Sequence, residues 1–422
     1  MTPDTATRPL EVLICGGGIA GQALAHWLAK AGHRPLVVER FPALRAAGAQ
    51  VDLRGQGIEA AKRMGVFDAI REHLVDEAGV AMVDERGRRL GTVLANRSGR
   101  GRQSLTSEFE IMRGDLVRIL HAAASAQDGV EHRFGVSVDR FEERDERVTV
   151  HLSDGTTREV DLLVGADGQG SRIRSAIAEP DAADPYRRFG LHMAYWSVPR
   201  TAGDGALRDA YSAPGGRLVW RRSPTPTESQ PYFVLRERSD EASAVHRRPV
   251  EQQKVFWADR FQDAGWQVPR FIDGMAATSN FYSQEALQVR LDAWSRGRVV
   301  LLGDAAHCAS PFSGMGVSGA LVGAYVLAGE ISRRPDDLPQ ALAAYDRTLR
   351  PFVETVQDGV DPRTLQLGMP RSRAAVRILR VLTAVACGLR IPALVSRLAK
   401  EDRGGDWRLP EYEELRQRAA AA

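Results

Sequence analysis

Cysteine is scarce in this chain. Cys15, Cys308 and Cys387 are the only three, and none stands in CxxC or CxxxC spacing. That leaves no disulfide framework and no thiolate zinc site to expect, and free thiols suit a reducing, cytoplasmic setting. Net charge is nearly absent too. At +3, with arginines mixed among Asp and Glu, nothing points to nucleic acid. Long apolar runs are missing: no stretch reaches about 18 uncharged apolar residues. The nearest, Val376 to Leu398, is broken by Arg377, Arg380, Arg390, Pro392 and Arg397. It reads as a buried or amphipathic helix, with peripheral membrane contact as the lesser reading, and no membrane span is expected. Met1 to Leu10 lacks the apolar centre of a signal peptide. There is no internal repeat, and nothing fixes the oligomeric state.

What is present is ordinary in bulk: 43% hydrophobic and 26% charged residues over 422 positions, enough for two or three domains. The order of the chain is more telling. Glu11 to Cys15 is an apolar strand, Ile19 to Lys30 a helix, and Pro35 to Val38 a second strand: a βαβ unit of a parallel sheet. Helices are expected at Gly57–Gly65 and Asp115–Ala124. Val80–Asp84 and Arg89–Leu94 read as a hairpin, as do Val148–Leu152 and Glu159–Val164 around Asp154-Gly155. From about Pro185 to Leu235, strand candidates (Phe189–Val198, Arg217–Arg221, Tyr232–Leu235) alternate with Gly- and Pro-rich turns. Helices at Val250–Asp263 and Pro269–Met275, a strand at Arg298–Leu302 and a long apolar helix after Gly316 follow.

Three motifs carry chemistry. Gly16-Gly17-Gly18-Ile19-Ala20-Gly21 has G-x-G-x-x-G spacing between strand and helix. Gly16 allows the turn, Gly18 lets a pyrophosphate approach, Gly21 lets helix and strand close up, and the helix N-terminus offers free N–H groups. Glu39, ending the next strand, is placed for ribose hydroxyls. The second motif, Asp161 to Arg174, runs a strand into Asp167-Gly168 and then Ser171; it is equally a strand-to-helix turn capped by Asp or Ser. In the third, Val299 to His307 ends a strand in Gly303-Asp304, and Pro311-Phe312-Ser313-Gly314-Met315-Gly316 opens a helix. Ligands of open α/β sheets sit at such carboxyl ends.

In this order and at these separations, the motifs resemble the para-hydroxybenzoate-hydroxylase-like flavoprotein monooxygenases, over roughly residues 10 to 365. The resemblance implies an α/β + β fold: a Rossmann-like FAD-binding domain (8–75, 100–180, 280–367), an inserted antiparallel-sheet substrate domain (76–99, 181–279) and a C-terminal helical segment (368–422). It implies FAD, NADPH or NADH as co-substrate, O2, and hydroxylation of an aromatic or polycyclic small molecule through a flavin C4a-hydroperoxide. Gly16, Gly18, Ile19, Ala20, Gly21, Glu39 and Arg40 would hold the ADP half. Arg113 would touch the flavin, Asp167 and Gly168 both nucleotides, and Asp304 the ribityl chain. Pro311, Gly314, Met315, Gly316 and Val317 would lie along the ring. Val51-Asp52-Leu53 and Gly57–Val66 look most like tetracycline-inactivating and polyketide-tailoring monooxygenases, by which Asp52 contacts FAD and Arg45 the nicotinamide nucleotide. An arginine there also suits a 2′-phosphate, which favours NADPH and leaves NADH open. Many relatives have Asn shortly after Gly-x-Gly; here Ser318 takes that contact, or the flavin is held differently.

Substrate contacts are less marked. His192 and Tyr211 are candidates to deprotonate a phenol, or are a satisfied sheet histidine and a packed tyrosine. Trp196, Trp220, Phe233 and Phe312 wall an aromatic pocket or fill core. Arg217, Arg221 and Arg222 orient an anionic substrate or are solvated strand ends, and His307 and Cys308 read as packing. Two rivals remain. Tyr195-Trp196-Ser197-Val198-Pro199 partly echoes the Trp-x-Trp-x-Ile-Pro of halogenases, and a halogenase or reductase would share the fold. A flavoprotein without turnover is the other.

Overall fold

The computed structural model describes residues 8–45, 48–95, 109–389, 391 and 407–416. In chain order the elements are β1 (Glu11–Cys15), α1 (Ile19–Lys30), β2 (Arg34–Glu39), β3 (Gln50–Asp52), α2 (Gln56–Met64), α3 (Phe67–Glu72), β4 (Gly79–Val83), β5 (Arg89–Leu94), β6 (Glu110–Met112) and α4 (Arg113–Ser125). Then come β7 (Glu131–Phe134), β8 (Val138–Arg144), β9 (Arg147–Leu152), β10 (Thr157–Val160), β11 (Leu162–Gly165) and α5 (Arg172–Ile177). The middle holds β12 (Tyr186–Trp196), β13 (Val198–Pro199), β14 (Arg208–Ala213), β15 (Arg217–Arg222), β16 (Glu228–Arg236), α6 (Asp240–Val245), α7 (Val250–Phe261), α8 (Val268–Ala277) and β17 (Phe281–Val289). Last are β18 (Ser295–Arg296), β19 (Val299–Leu301), α9 (Asp304–His307), α10 (Gly316–Arg333), α11 (Leu338–Asp358), α12 (Pro362–Leu367) and α13 (Arg373–Gly388).

The apolar runs of the βαβ unit pair as expected. A six-stranded sheet has the order β18-β19-β11-β1-β2-β7, with every neighbour parallel except β18. α1 is buried along most of its length, and with α4, α10 and α11 it closes one core with the sheet. Fully burying a side chain of the Val/Leu/Ile/Phe class is worth about 1.5–3 kcal/mol. Register then does the positioning. Cys15 pairs Gly165 and Val38, and Gly165 pairs Leu301, so β1, β2, β11 and β19 end at one level.

The second body is an eight-stranded sheet, β17-β12-β16-β15-β14-β4-β5 with β13 beside β16. Its pairings are antiparallel except β14 on β4. Side-chain alternation gives it two faces. Ala194, Trp196, Val219 and Phe233 pack against α6–α8 residues such as Trp257, Phe261 and Phe271. Met193, Tyr195, Tyr232 and Val234 face the other way, toward Ala49 and Phe312 of the first body.

Two expectations need correction. The run Glu159–Val164 is not one strand. Thr157–Val160 closes the hairpin on β9, and the chain then changes sheets at Asp161, so Leu162–Gly165 runs parallel to β1. Asp161 holds the crossing by accepting from Glu11 N at 2.8 Å and Arg8 Nη2 at 2.6 Å. Phe281–Val289, expected within the 280–367 stretch of the nucleotide-binding part, pairs with β12 over nine residues from Tyr186↔Val289 to Trp196↔Phe281.

The C-terminal stretch splits. α13 lies on β5, where a Cβ on Gly91 would meet Cys387 Sγ at 2.5 Å, while six of its and its successors' apolar side chains (Ile378, Val381, Leu382, Val385, Leu389, Ile391) are exposed. The interruptions expected at Arg390, Pro392 and Arg397 lie outside the described residues. No described helix is long and apolar enough to cross a membrane. Residues 407–416 return to the first body: Tyr412 is fully buried, its hydroxyl donates to Glu330 at 2.8 Å, and its ring fills the space left by Gly329. Tyr412→Ala should lower stability by about 3–5 kcal/mol, read from urea unfolding. An unchanged midpoint would contradict this docking.

Candidate functional site

The aligned strand ends bring the three motifs to one rim. At Gly16, φ is +120°, and a Cβ would meet Ala166 O at 2.4 Å. At Gly21 a Cβ would stand 1.9 Å from Gly16 O, so α1 approaches β1 closer than any side chain permits. Gly18 differs: a Cβ there would meet only Arg113 Nη2, at 3.7 Å, so its front is open. Ile19 and Ala20 begin α1, which has no capping side chain and no acid in its first turn. Its unpaired N–H groups and partial positive charge face that opening.

Glu39 accepts from Gly17 N at 2.9 Å and Phe41 N at 3.0 Å, which fixes its carboxylate beside the glycine turn. Arg40 stands exposed over the Phe41 ring. Arg45 lies between two rings, 5.0 Å from Phe41 and 5.0 Å from Tyr282. Arg113 starts α4 and donates to Arg45 O at 3.3 Å. Asp167 caps α5 with one oxygen, accepting from Arg172 N at 2.7 Å, and Ser171 caps it with a second bond to Arg174 N. The other oxygen, Asp167 Oδ1, is buried without a hydrogen-bond partner among the described residues. Gly168 (φ +85°) turns the chain beside it.

Asp304 is solvent-accessible yet set deep in the protein, the position of a carboxylate on the floor of a cleft. That depth pushes its pKa up, opposed by the Cys308 thiol hydrogen bond and by Arg113. Pro311 and Gly316 are exposed on the same cleft, Gly314 and Met315 half-buried, and Val317 turns into the core. Asp52 pairs with Arg54 at 2.8 Å beneath this loop, since a Cβ on Gly314 would lie 3.0 Å from Asp52 Oδ2. Ser318 is fully buried and exchanges hydrogen bonds with Arg54 N and O, both 2.9 Å, so its hydroxyl is committed to the backbone. His307 packs against Trp294 at 5.0 Å, and burial lowers its pKa to about 4.

The inserted sheet roofs the cleft with three tyrosines that the sequence did not mark as site residues, beside Trp220, Phe312 and Arg222, which it did. Tyr195 stands 5.3 Å from Tyr232 and 5.2 Å from Tyr282, centroid to centroid. Tyr195 and Tyr282 face Arg45 and Arg113, and burial holds the phenols of all three tyrosines above their ordinary values. Trp220 and Phe312 meet at 6.4 Å on the same side. Arg222 belongs here too, bound to Glu110 at 3.2 Å. Arg174 clamps the second motif to the third, donating to Ala305 O at 2.9 Å and Gln169 O at 2.6 Å. β17 gave no strand signal, because its sequence FYSQEALQV does not alternate cleanly.

Other candidates lie elsewhere. His192 is on the sheet's far face, fully buried, bonded to His246 at 2.9 Å and Glu237 O at 3.1 Å. The period of two along β12 carries it away from Tyr195. Trp196 and Phe233 fill the same far core, and Tyr211 packs there on Trp266. Arg217 pairs with Asp263, and buried Arg221 with Asp209.

The residues fit an FAD: an open glycine turn under an uncapped helix, an unpartnered buried carboxylate oxygen and a carboxylate set at the base of a cleft. Comparison with known proteins agrees. The FAD binding domain family model matches residues 9–360. The FAD-dependent monooxygenase asL4 of Sarocladium schorii is 38% identical, over 96% of this chain and 99% of its own length. Flavin-dependent monooxygenase eupH of a Phoma species is 35% identical over 96% and 98%. Among solved structures, the tetracycline destructase Tet(51) is similar with TM-score 0.76 and 30% identity, over 96% of this chain and 100% of that one. The chain belongs to the FAD-binding-domain family and is an FAD-dependent monooxygenase.

Two outcomes follow. Gly18→Ala has room for its methyl group but places it in the open front of the glycine turn, so FAD should bind about tenfold more weakly with the melting temperature of the apoprotein unchanged. Equal affinity in a flavin titration would contradict the glycine's role. Burial lowers the pKa of both His192 and His246, the latter from 6.5 to about 3. The unfolded chain takes up protons the folded one refuses, so stability is full above pH 6.5 and falls as the pH drops toward 3. His246→Gln should flatten that slope between pH 7 and 4, and an unaltered slope would remove the pair from the account.

Proposed function

We propose that this flavin monooxygenase hydroxylates an aromatic or polycyclic small molecule, of polyketide or antibiotic type, with NAD(P)H and O2. The observation that carries the reading is the meeting of Arg45, Arg113 and Asp304 with the tyrosine roof, through the Arg45–Tyr282 stack and the shared field of the two arginines. The relatives' names, among them tetracycline destructases, support a polycyclic substrate class.

In this reading the stretches 8–75, 100–180 and 280–367, apart from β17, form the nucleotide-binding part. The stretches 76–99 and 181–279 supply the cover, and within 368–422 the described helix α13 and residues 407–416 brace the two bodies in turn. Gly16, Gly18, Ile19, Ala20, Gly21, Glu39 and Arg40 bind the ADP half. Asp167 Oδ1 and Gly168 face the nucleotides, and Asp304 holds the ribityl hydroxyls. Arg113 and Asp52 would hold the ring, with the loop of Pro311, Gly314, Met315 and Gly316 beside it and Val317 anchoring that loop in the core. Arg45, pinned between two rings, is placed for the nicotinamide nucleotide. Bound there, FAD would supply the redox and oxygen-transfer chemistry that NAD(P)H and O2 feed.

The chain's own part is binding and exclusion. Met193, Tyr195, Tyr232, Phe312 and Met369 make the roof apolar and keep water from the reacting atoms. Because burial raises the phenol pKa values, Tyr195 and Tyr282 stay protonated and serve as hydrogen-bond donors, orienting a phenolic or ketonic oxygen. No group on this face is assigned as a base. Trp196, the tryptophan of the partial halogenase echo, donates to Phe271 O at 3.0 Å on the far side of the sheet, away from the tyrosine roof.

Purified protein should be yellow. Its NADPH or NADH oxidation should accelerate with one member of a panel of phenolic polycycles and give a product heavier by one oxygen. Tyr282→Phe should lower that stimulated rate about tenfold or more while FAD content stays the same. A protein that binds FAD but shows no substrate-stimulated oxidation with any polycycle would overturn the substrate class.

A further inference from the structure

A cavity of about 720 Å3 lies apart from the flavin cleft. It opens where the start of β12 meets the end of β16 and α12, and Arg187, Arg188, Arg238 and Arg363 line it with Phe189 and Asp361. Its charge is not balanced from within. Arg188 is spoken for by Asp184 at 2.6 Å and Glu285 at 3.5 Å. Arg187 reaches only the neutral Gln288 Oε1, at 3.4 Å. Among the described residues neither Arg238 nor Arg363 forms an ion pair through its guanidinium, and the one carboxylate whose charge meets Arg363 is Asp361. Asp361 is the single carboxylate on the wall, and it is engaged at the head of α12, accepting from Arg363 N at 3.0 Å, Thr364 N at 3.3 Å and Thr364 Oγ1 at 2.8 Å. Behind the wall, Arg371 and Arg238 press on Arg236, adding to the positive field.

The backbone is shaped to present these groups. The register of β12 on β17 shifts between Arg188 and Leu191, a bulge that re-aims the strand. Gly190 sits in it at φ +63°, and a Cβ there would lie 2.5 Å from Arg238 Cγ. Glycine at this point lets Arg238 lie across the strand into the cavity. Phe189, on the cavity wall, belongs to the same apolar layer as Tyr195 and Phe312. From Phe189 to Tyr195 is about 20 Å along the strand, at about 3.3 Å per residue. The cavity is therefore a charged vestibule at one end of the roof whose other end covers the flavin cleft.

We propose that this vestibule binds the oxyanion of an organic ligand entering the roofed chamber, a phosphate or a carboxylate held by Arg187, Arg238 and Arg363. Planar guanidinium groups take such oxyanions in two-point hydrogen bonds. The proposal rests on the monooxygenase reading for its two sources: the phosphates of the reduced nicotinamide nucleotide, or an acidic group on the aromatic substrate.

The test uses FAD-loaded protein, so that the cofactor's own pyrophosphate site is filled, and inorganic pyrophosphate as probe. Calorimetry should show salt-sensitive binding that weakens about tenfold or more in Arg238→Gln/Arg363→Gln. If the double variant loses its fold, Arg363→Gln alone, on the exposed α12, carries the measurement. Absence of binding to the parent protein, or equal binding to the variant, overturns the proposal. Kinetics then separate the sources: a raised KM for NADPH with the aromatic substrate's KM unchanged assigns the nucleotide, and the reverse assigns the substrate. Failure of the monooxygenase reading appears separately, as protein that never turns yellow.

Discussion

One close approach governs the rest of this molecule: α1 lies so near β1 that only hydrogen fits between Gly21 and the carbonyl of Gly16. A methyl group at either glycine would push the helix outward. The helix N-terminus would then no longer point along the ends of β1, β2 and β11, where Glu39 and Asp167 stand. The parallel register passes that constraint across the sheet, since Cys15, Val38, Gly165 and Leu301 end together. Asp304 is 288 positions beyond Gly16, yet its place follows from the same alignment. Arg174 then locks the second and third motifs with two backbone carbonyl contacts.

The inserted sheet obeys a different constraint, the period of two. Its far face is committed to α6–α8, with Trp196, Phe233, Trp257 and Phe271 in one core. Only after that face is filled is the other free to roof a cleft. A one-residue slip of β12 would exchange Tyr195 for Trp196 and Met193 for Ala194, turning a tyrosine roof into a far-face core. The nine-residue pairing with β17 prevents it, aided by buried ions where the two bodies meet: Arg222 with Glu110 and Glu77, and Arg208 with Glu77. Such pairs are weak evidence for stability, but breaking one leaves a buried charge alone, which penalises any other seating of the sheet.

Local signals were legible and non-local ones were not. The glycine turn, Asp167-Gly168 and Gly303-Asp304 can be read because each is a strand end with its own turn chemistry. The family likeness added Arg113, Asp52 and Arg45, which no spacing marks. What escaped depends on pairing. Arg208–Ala213 is a central strand between β4 and β15, buried on both faces, and so shows no alternation. β17 was absorbed into the following segment because FYSQEALQV does not alternate cleanly. His192 and Tyr195 are three residues apart on one strand, and composition cannot say which faces the flavin side; the histidine's chemistry drew attention to the wrong face. Ser318 is instructive as well. A polar residue near the flavin loop invites a ligand contact, but its hydroxyl had already been claimed by the backbone of Arg54.

The placement of the motifs along the chain bears on the order in which the molecule can be built. β1 emerges first from the ribosome, β11 about 150 residues later and β19 only after the whole inserted sheet, although β11 must sit between the other two. α10, which lines the third motif, receives Tyr412 into the gap at Gly329 later still. Contacts so distant in sequence fold slowly and leave early segments waiting with open sheet edges. Until β19 and α10 have been made, the glycine turn therefore has half a cleft to offer.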